Sequence, residues 1–299
     1  MRGTRTRAGT LLVDIGNTRV KWARLAGGKL GRQKAAAHAG WASEDFARAL
    51  FGKQRPRAAL RRTAQATLAG ARASAPAVPV RGRGRRAAGR PGDLERILVV
   101  SVAGPRVDRA FTAAAQARTG IEPEFFVSRR RAGGVTTRYA EPWRLGADRL
   151  VGTIGAHRLA RGRAVCIIAV GTALTLDLLD QRGRHRGGAI VPAPGLMKDS
   201  LLAKTNGIRR RAQGGSPAGN FFARSTRAAI EQGSRYAAAA VIDRAVAEAR
   251  NVIGRAPLVL LTGGGAPALR PLIRSPHRFV PDLVLRGLAV LATDSAKPP

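Results

Sequence analysis

The stretch LLVDIGNTRV, residues 11–20, combines an apolar run, a turn containing Gly and Thr, and a second run that returns. The stretch VCIIAVGTALTL, residues 165–176, has the same design and begins about half a chain later. Short apolar runs bounded by turn residues are typical of buried strands, and we predict strands at residues 11–13 and 20–25. Two similar half-molecules, each presenting a glycine hairpin towards a shared cleft, are the simplest architecture that explains the repeat.

Strand-like and helix-like stretches alternate around these two hairpins. Residues 97–102, ILVVSV, predict a further buried strand, and the alternation favours an α/β fold with a largely enclosed sheet. We predict an N-terminal half at residues 1–150 and a C-terminal half at residues 151–299. Residues 70–92 are rich in Arg and Gly with few large apolar side chains, so we expect an irregular, mobile insertion there. Whether the first eight or so residues belong to the native start is left open.

Composition excludes several classes of protein. The chain has 299 residues and 44% apolar content, which a packed core requires and a disordered protein lacks. Its one cysteine, Cys166, lies in an apolar run, so we expect a buried inert thiol and neither a disulfide framework nor a cysteine-based metal site. The basic first ten residues lack the apolar stretch of a secretory signal, and no window approaches the roughly 18 apolar residues of a membrane span. We therefore expect a soluble cytoplasmic protein.

The formal net charge is +35, from 53 basic and 18 acidic residues. Such a charge raises the hypothesis of nucleic-acid binding. The basic residues are almost all arginine and accompany heavy use of Ala and Gly, a pattern that a GC-rich coding sequence produces without any ligand. We favour a solvated arginine surface, and we expect weak, salt-sensitive binding to polyanions from the charge alone.

The first hairpin has the composition of a phosphate-binding turn. A glycine at a tight turn lets backbone N–H groups approach an anion, and the hydroxyl of Thr18 adds a donor. Asn and Gly favour turns in any protein, so an ordinary hairpin is the alternative. Asp14 ends the apolar run, where an unpaired carboxylate is costly, and a magnesium ion bridging Asp14 to ATP phosphates would satisfy it.

The sequence Gly146-Ala147-Asp148-Arg149 precedes a helical stretch at residues 150–159. An aspartate at a helix start is most often an N-cap. It could instead accept a proton from a substrate hydroxyl that attacks the γ-phosphate of ATP, with the adjacent arginine neutralising developing charge. Further on, three glycines at residues 263–265 follow an apolar strand at residues 258–261. They permit close packing of a nucleotide, and a flexible turn explains them equally well.

The order of these motifs carries a family resemblance. The chain contains D-x-G-N-T-R from Asp14, Y-x-x-P-x-x-L-G-x-D-R from Tyr139, and G-T-A-x-T-x-D from Gly171. GGAIVP at residues 187–192, LTGG at 261–264 and LVLRGL at 283–288 complete the series. Together they resemble the type III pantothenate kinases, a family that includes proteins described as Bvg accessory factors, within the acetate and sugar kinase, Hsp70 and actin superfamily. The resemblance spans residues 11–292 without the arginine-rich insertion.

The resemblance implies a fold of two RNase H-like, actin-like ATPase halves, with mixed sheets flanked by helices around an ATP cleft. It implies ATP-dependent phosphorylation of pantothenate to 4'-phosphopantothenate, the first step of coenzyme A biosynthesis, by a homodimer with a shared active site. ATP contacts are implied at Asp14, Ile15, Gly16, Asn17, Thr18, Arg19, Val20, Lys21 and Thr172, with Mg²⁺ near Asp14. Pantothenate contacts are implied at Tyr139, Gly146, Ala147, Asp148, Arg149 and Thr226, with Asp148 as proton acceptor.

The chain departs from the family pattern at three places. Ala169 stands where many members carry an aspartate that binds an activating K⁺ or NH₄⁺ ion, and a methyl group cannot coordinate a cation, so no cation ligand is assigned. Either main-chain and neighbouring oxygens suffice, or the ion requirement is altered. Residues 192–195, Pro-Ala-Pro-Gly, replace a simpler Pro-Gly turn, and residues 216–222 before Thr226 also differ.

Two alternatives to the kinase interpretation remain. A regulatory or nucleic-acid-binding protein could keep the fold and lose the activity. The charge and Ala169 favour this alternative, and it is disfavoured by the intact Asp14, Asp148, Arg149 and Thr172. A kinase of the same fold could act on another small hydroxylated or carboxylated metabolite, which the match around Tyr139 and Asp148 disfavours.

Overall fold

The computed structural model describes residues 9–52, 94–217 and 219–294. The chain divides into two units, Met1–Phe126 and Val127–Pro299, so the change of unit comes before the boundary at residue 150 that the sequence suggested. The predicted insertion at residues 70–92 and the first eight residues lie outside the described residues.

The first unit is built on a six-stranded mixed sheet. The strands are β1 Gly9–Ile15, β2 Arg19–Ala26, β3 Lys29–Leu30, β4 Lys34–Ala37, β5 Leu94–Ser101 and β6 Glu124–Phe125. Their order in the sheet is β3-β2-β1-β5-β6, with β4 pairing with β2. The helices are α1 Ser43–Phe46, which continues as a π-helical turn at Ala47–Phe51, and α2 Pro105–Thr119. The predicted strands at residues 11–13, 20–25 and 97–102 are therefore confirmed.

The second unit is built on a five-stranded mixed sheet in the order β11-β10-β9-β12-β13, and it also has a small β7-β8 hairpin. The strands are β7 Arg131–Ala132, β8 Val135–Thr136, β9 Val165–Val170, β10 Ala173–Leu179, β11 His185–Pro192, β12 Leu258–Thr262 and β13 Arg278–Phe279. The helices are α3 Ala147–Ala160, α4 Pro194–Lys204, α5 Asn206–Arg211, α6 Thr226–Ile253, α7 Ala266–Leu269 and α8 Leu283–Asp294, with 3₁₀ turns at Pro142–Arg144 and Arg270–Leu272.

The two sheets share one topology. In each, the central strand pairs antiparallel with the next strand in the chain and parallel with the strand after the crossover, β1 with β2 and β5, and β9 with β10 and β12. The carbonyl that ends the central strand has the same kind of partner in both units, because Ile15 O accepts from Val102 N at 2.9 Å and Val170 O accepts from Gly265 N at 3.0 Å. The predicted repeat of two similar α/β halves is confirmed.

Apolar runs on the central strands explain why the sheets form. Leu12 and Val13 on β1 and Ile168 on β9 are fully buried, as expected for strands covered on both faces. In the first unit an aromatic pair, Phe46 and Phe111, packs edge to face beneath the sheet, with ring centroids 5.8 Å apart. Cys166 on β9 is buried, and burial raises the pKa of its thiol to about 12, so the thiol stays protonated at neutral pH.

Within the part of the chain that the structure describes, no helix has both the length and the apolar character needed to cross a membrane.

Helices α3 and α8 pack closely through glycine. A Cβ added to Gly287 would overlap the carbonyl oxygen of Val151 and lie 2.8 Å from its side chain. We expect Gly287→Ala to lower the free energy of unfolding by about 1–3 kcal/mol, because the two backbones must move apart. Urea unfolding measures this change.

Gly233→Ala is the matched control, since Gly233 lies inside α6 and an added Cβ would meet nothing within 4 Å. It should raise stability by up to about 1 kcal/mol, because alanine is the better helix former. Equal effects of the two substitutions would contradict the proposed close packing.

Candidate active site

The β1–β2 turn exposes the side chains of Asn17, Thr18 and Arg19. The N–H of Gly16 donates to the carbonyl oxygen of Arg19 at 3.0 Å, which closes the turn. An amide, a hydroxyl and a guanidinium are therefore presented together on one tight turn. These are donors that suit an anion such as a phosphate.

His38 holds this turn, although no motif in the sequence marked it. Its Nε2 lies 2.6 Å from the carbonyl oxygen of Gly16, and a carbonyl only accepts, so the ring donates from Nε2. Its backbone N–H donates to Thr18 O at 3.2 Å. The ring is buried and packs beside Phe46, with ring centroids 6.0 Å apart. The turn is thus anchored at two carbonyls to one buried residue.

Asp14 is buried on β1, with Lys21 directly opposite it on β2. Lys21 Nζ lies 3.4 Å from Asp14 Oδ2. The buried carboxylate therefore has a counter-charge within its own hairpin, and its presence alone does not require magnesium. Across residues 9–52, 94–217 and 219–294, no cluster of three or more His, Cys, Asp or Glu side chains could hold a metal ion.

The β9–β10 turn repeats the arrangement of the first with different residues. Gly171 N donates to Ala173 O at 2.9 Å, and Thr172 is exposed. Thr172 O accepts from Ala193 N at 3.3 Å, as Thr18 O accepts from His38 in the first unit. The Pro-Ala-Pro-Gly departure therefore still supports the turn, since Pro194 opens α4 directly after Ala193.

Ala169 occupies the strand position that Asp14 occupies in the first unit, two residues before the turn glycine. Its cross-strand partners are Thr175 on β10 and Thr262 on β12. Paired residues on neighbouring strands lie on the same face of a sheet, so two hydroxyl groups flank the alanine methyl.

The glycines after β12 have a structural explanation. Gly263 has a left-handed φ of 97°, and a Cβ there would overlap the main chain of Val170. Gly265 N donates to the carbonyl oxygen of the same valine. Gly263 therefore lets the β12 turn close onto the end of β9.

Asp148 is the second residue of α3 and does not cap it. Gly146 is the N-cap and provides no side-chain hydrogen bond, so the N-cap alternative for Asp148 is wrong. Asp148 Oδ1 instead accepts from the backbone N–H of Arg149 at 2.8 Å. Burial raises the pKa of Asp148 despite this hydrogen bond and the charge of Arg149, and repulsion from Asp177 adds to the rise. A carboxylate with a raised pKa is a stronger proton acceptor.

Arg149 lies at the centre of a buried polar cluster. Its Nε and Nη2 donate to Asp177 Oδ2 and Oδ1 at 3.1 and 2.6 Å, and its Nη1 donates to Tyr139 Oη at 3.3 Å. His185 Nε2 lies 2.9 Å from Asp177 Oδ1. Burial alone would raise the pKa of Asp177, but hydrogen bonds from His185 and Arg149 and their charges hold it below its usual range. The charge of Arg149 is therefore balanced before any substrate arrives.

Hydrogen bonds join some of the predicted site residues and not others. Gly146, Ala147, Asp148 and Arg149 form the start of α3, and Arg149 contacts Tyr139. Thr226 is the first residue of α6, after its N-cap Ser225, whose Oγ accepts from Ala228 N at 3.2 Å. Among the described residues, no hydrogen bond joins Thr226 to the Arg149 cluster. Asp177 ended a motif in the sequence, but nothing there indicated that it pairs with Arg149 or contacts His185.

The structure thus has two mixed sheets of one topology, each with a glycine–threonine hairpin on its central strands, as the family resemblance predicts. A family model described as Type III pantothenate kinase matches residues 10–248. A Type III pantothenate kinase of Nitrosococcus oceani is 33% identical over 291 residues, which cover 96% of this chain and 95% of that protein. One of Aromatoleum aromaticum is 32% identical over 289 residues, covering 96% and 98%. The chain belongs to the type III pantothenate kinase family.

Solved structures give weaker likenesses. A conserved Baf family protein of Campylobacter jejuni is 14% identical with a TM-score of 0.49, covering 96% of this chain and 98% of that one. A ROK hexokinase of Thermus thermophilus is 17% identical with a TM-score of 0.42, covering 96% and 99%. The fold assignment rests on the strand order and register of this chain.

The raised pKa of Asp148 predicts a stability effect with a definite sign. The folded protein binds this proton more tightly than the unfolded chain, whose aspartates titrate near about 3.9. Asp148 therefore contributes full stability below that value, and the contribution is lost as pH rises through the raised pKa. Asp148→Asn carries no titrating proton, so it should be more stable than the wild type at neutral pH, with the difference vanishing below about pH 4.

Urea unfolding at the two pH values measures this effect, and Asp243→Asn is its control. Burial raises the pKa of Asp243 less than hydrogen bonds from Ser275 and Arg274 lower it, so its loss should destabilise the protein at neutral pH. A destabilised Asp148→Asn at neutral pH would contradict the assigned shift.

Proposed function

We propose that this protein phosphorylates pantothenate with ATP and forms 4'-phosphopantothenate, the first step of coenzyme A biosynthesis. The observation that carries the proposal is the start of α3, where Asp148 has a raised pKa beside the Arg149–Tyr139 pair. The matching motifs and the family of the chain place pantothenate kinase activity first among the reactions that such a carboxylate can serve.

ATP is the proposed phosphoryl donor. We assign its phosphate contacts to Asp14–Lys21 and Thr172, because both turns expose a threonine hydroxyl. Mg²⁺ fits this chemistry, since it binds through one or two carboxylates together with phosphate oxygens and water, and Asp14 is a carboxylate beside the first turn. When bound, the ion would neutralise charge on the phosphate oxygens.

The chemical step uses Asp148 as the proposed general base. A carboxylate oxygen of Asp148 takes the proton of the primary hydroxyl of pantothenate. The hydroxyl oxygen forms a bond to the γ-phosphorus as the bond from that phosphorus to the β–γ bridging oxygen breaks, which leaves ADP. Tyr139, Gly146, Ala147, Arg149 and Thr226 are the proposed pantothenate contacts, and their task is to hold the hydroxyl in line with the breaking bond.

We also propose that the protein acts in the cytoplasm as a homodimer. Exposed apolar side chains on the second unit support a subunit interface on that unit: Ile190 on β11 is 61% exposed, and Phe222, shortly before α6, is 89% exposed. Leu196 and Leu201 on α4 are exposed as well. Apolar side chains of this size favour contact with another surface.

ADP release by the purified protein tests the proposed function. With ATP and magnesium, release should require pantothenate, and other small hydroxy acids should not replace it. Asp148→Asn should lower kcat by roughly a hundredfold or more, because proton transfer by a positioned base contributes about that much. Release that does not depend on pantothenate would contradict the substrate. Full turnover by folded Asp148→Asn would contradict the base.

The effect of monovalent cations on the reaction rate should depend on the side chain at position 169. Because Ala169 supplies no oxygen, we expect the wild-type rate to differ little between potassium, ammonium and a bulky organic cation. Ala169→Asp places a carboxylate between the hydroxyl-bearing Thr175 and Thr262, so its rate should rise with potassium. Ala169→Asn is the control, since it adds similar bulk without the charge. A wild-type rate that collapses without potassium would contradict the expectation.

A further inference from the structure

Four side chains of the second unit form a closed ring of contacts. Arg149 pairs side-on with Asp177, His185 contacts the same carboxylate, the rings of His185 and Tyr139 lie 5.8 Å apart, and Arg149 Nη1 returns to Tyr139 Oη. The Arg149 and Asp177 side chains are only 7% and 3% exposed. Both charges have lost their water, and a buried pair is tolerated only when its geometry is good and its remaining donors and acceptors are satisfied.

The pairing fixes the orientation of the guanidinium. Asp177 takes the edge that carries Nε and Nη2, so the Nη1 corner points to the Tyr139 hydroxyl. The guanidinium carbon also lies 5.9 Å from the centre of the Tyr139 ring. Rotation about the last side-chain bond would break both hydrogen bonds to Asp177 at once. The Nη1 corner is therefore the part of the guanidinium that Asp177 does not engage.

His185 fixes the carboxylate in turn. Its ring is fully buried, and because a carboxylate only accepts, it donates from Nε2 to Asp177 Oδ1. Its Nδ1 has no hydrogen-bond partner among the described residues. The ring therefore contributes its one hydrogen bond to Asp177, and it does so from the first residue of β11.

Gly188 provides the space for this cluster. It lies opposite Asp177 in the β10–β11 register, and a Cβ there would come within 2.6 Å of both Arg149 Nη2 and Asp177 Oδ1. Any larger residue would displace the pair. Helix α3, strands β10 and β11 and the loop that carries Tyr139 therefore all meet near the carboxylate of Asp177.

We infer that Asp177 and His185 are positioning residues for pantothenate: Asp177 clamps Arg149, and His185 holds Asp177, so that the Nη1 corner and the Tyr139 hydroxyl face the substrate as one rigid surface. This inference rests on the proposed function. The two residues act through Arg149 and do not touch the reacting atoms. They therefore set affinity for pantothenate and not for ATP.

The test compares KM values for the two substrates in matched variants. Asp177→Asn and His185→Phe should raise the KM for pantothenate by roughly tenfold to a hundredfold, the range expected for loss of hydrogen bonds to charged groups. The KM for ATP should stay within about twofold. His185→Gln keeps a donor at the place of Nε2 and should restore most of the affinity. Asp243→Asn, which removes a loop-binding carboxylate elsewhere in the unit, should lower stability and leave both KM values unchanged.

A second measurement detects the pairing of Arg149 with Asp177 independently of enzyme activity. The Nε–H of Arg149 should give a slowly exchanging nitrogen-correlated NMR signal, assigned by its loss in Arg149→Lys. Asp177→Asn and His185→Phe should lose or shift this signal, and His185→Gln should keep it. Equal changes in both KM values, or unchanged KM for pantothenate in folded variants that lack the signal, would overturn the inference. Wild-type protein that releases no ADP with pantothenate would overturn the proposed function itself, whatever the variants do.

Discussion

One hydrogen bond in each half holds the turn between the two central strands: the carbonyl oxygen of the turn threonine accepts the main-chain N–H of the residue that directly follows the neighbouring strand. Thr18 accepts from His38, and Thr172 accepts from Ala193. The bond fixes the main chain of each turn, while the side chains of Thr18 and Thr172 stay exposed. The same main-chain bond therefore holds both hairpins, although the residues around them differ.

Each half also buries a carboxylate and supplies the cation that balances it. In the first unit the cation comes from the adjacent strand, since Lys21 faces Asp14 across the hairpin. In the second it comes from a helix, since Arg149 on α3 reaches Asp177 on β10. The second arrangement ties helix α3 to the sheet, and so couples the position of Asp148 to the core of the second unit. Buried charges need such partners because water no longer solvates them.

The fold could be predicted from the sequence because its signals are local. Apolar runs ended by Gly mark both central hairpins, and their repetition indicates the duplicated topology. Asp148 and Arg149 could be found because they are adjacent in one motif. His38 and His185 could not, since each acts on a residue that is distant in sequence or on another strand. Asp14 is a candidate because it ends an apolar run and belongs to the family motif, but the opposite Lys21 becomes visible only when the register of β1 and β2 is known.

The burial of Cys166 has a practical consequence for chemical labelling. It is the only cysteine of the chain, and its thiol stays protonated inside β9. Only an exposed thiolate attacks thiol reagents efficiently, so the native protein should behave towards them as though it had no cysteine. A single cysteine introduced at the surface would then be a unique attachment point for a dye or a spin label. Cys166 therefore does not need to be replaced before the protein is labelled for spectroscopy.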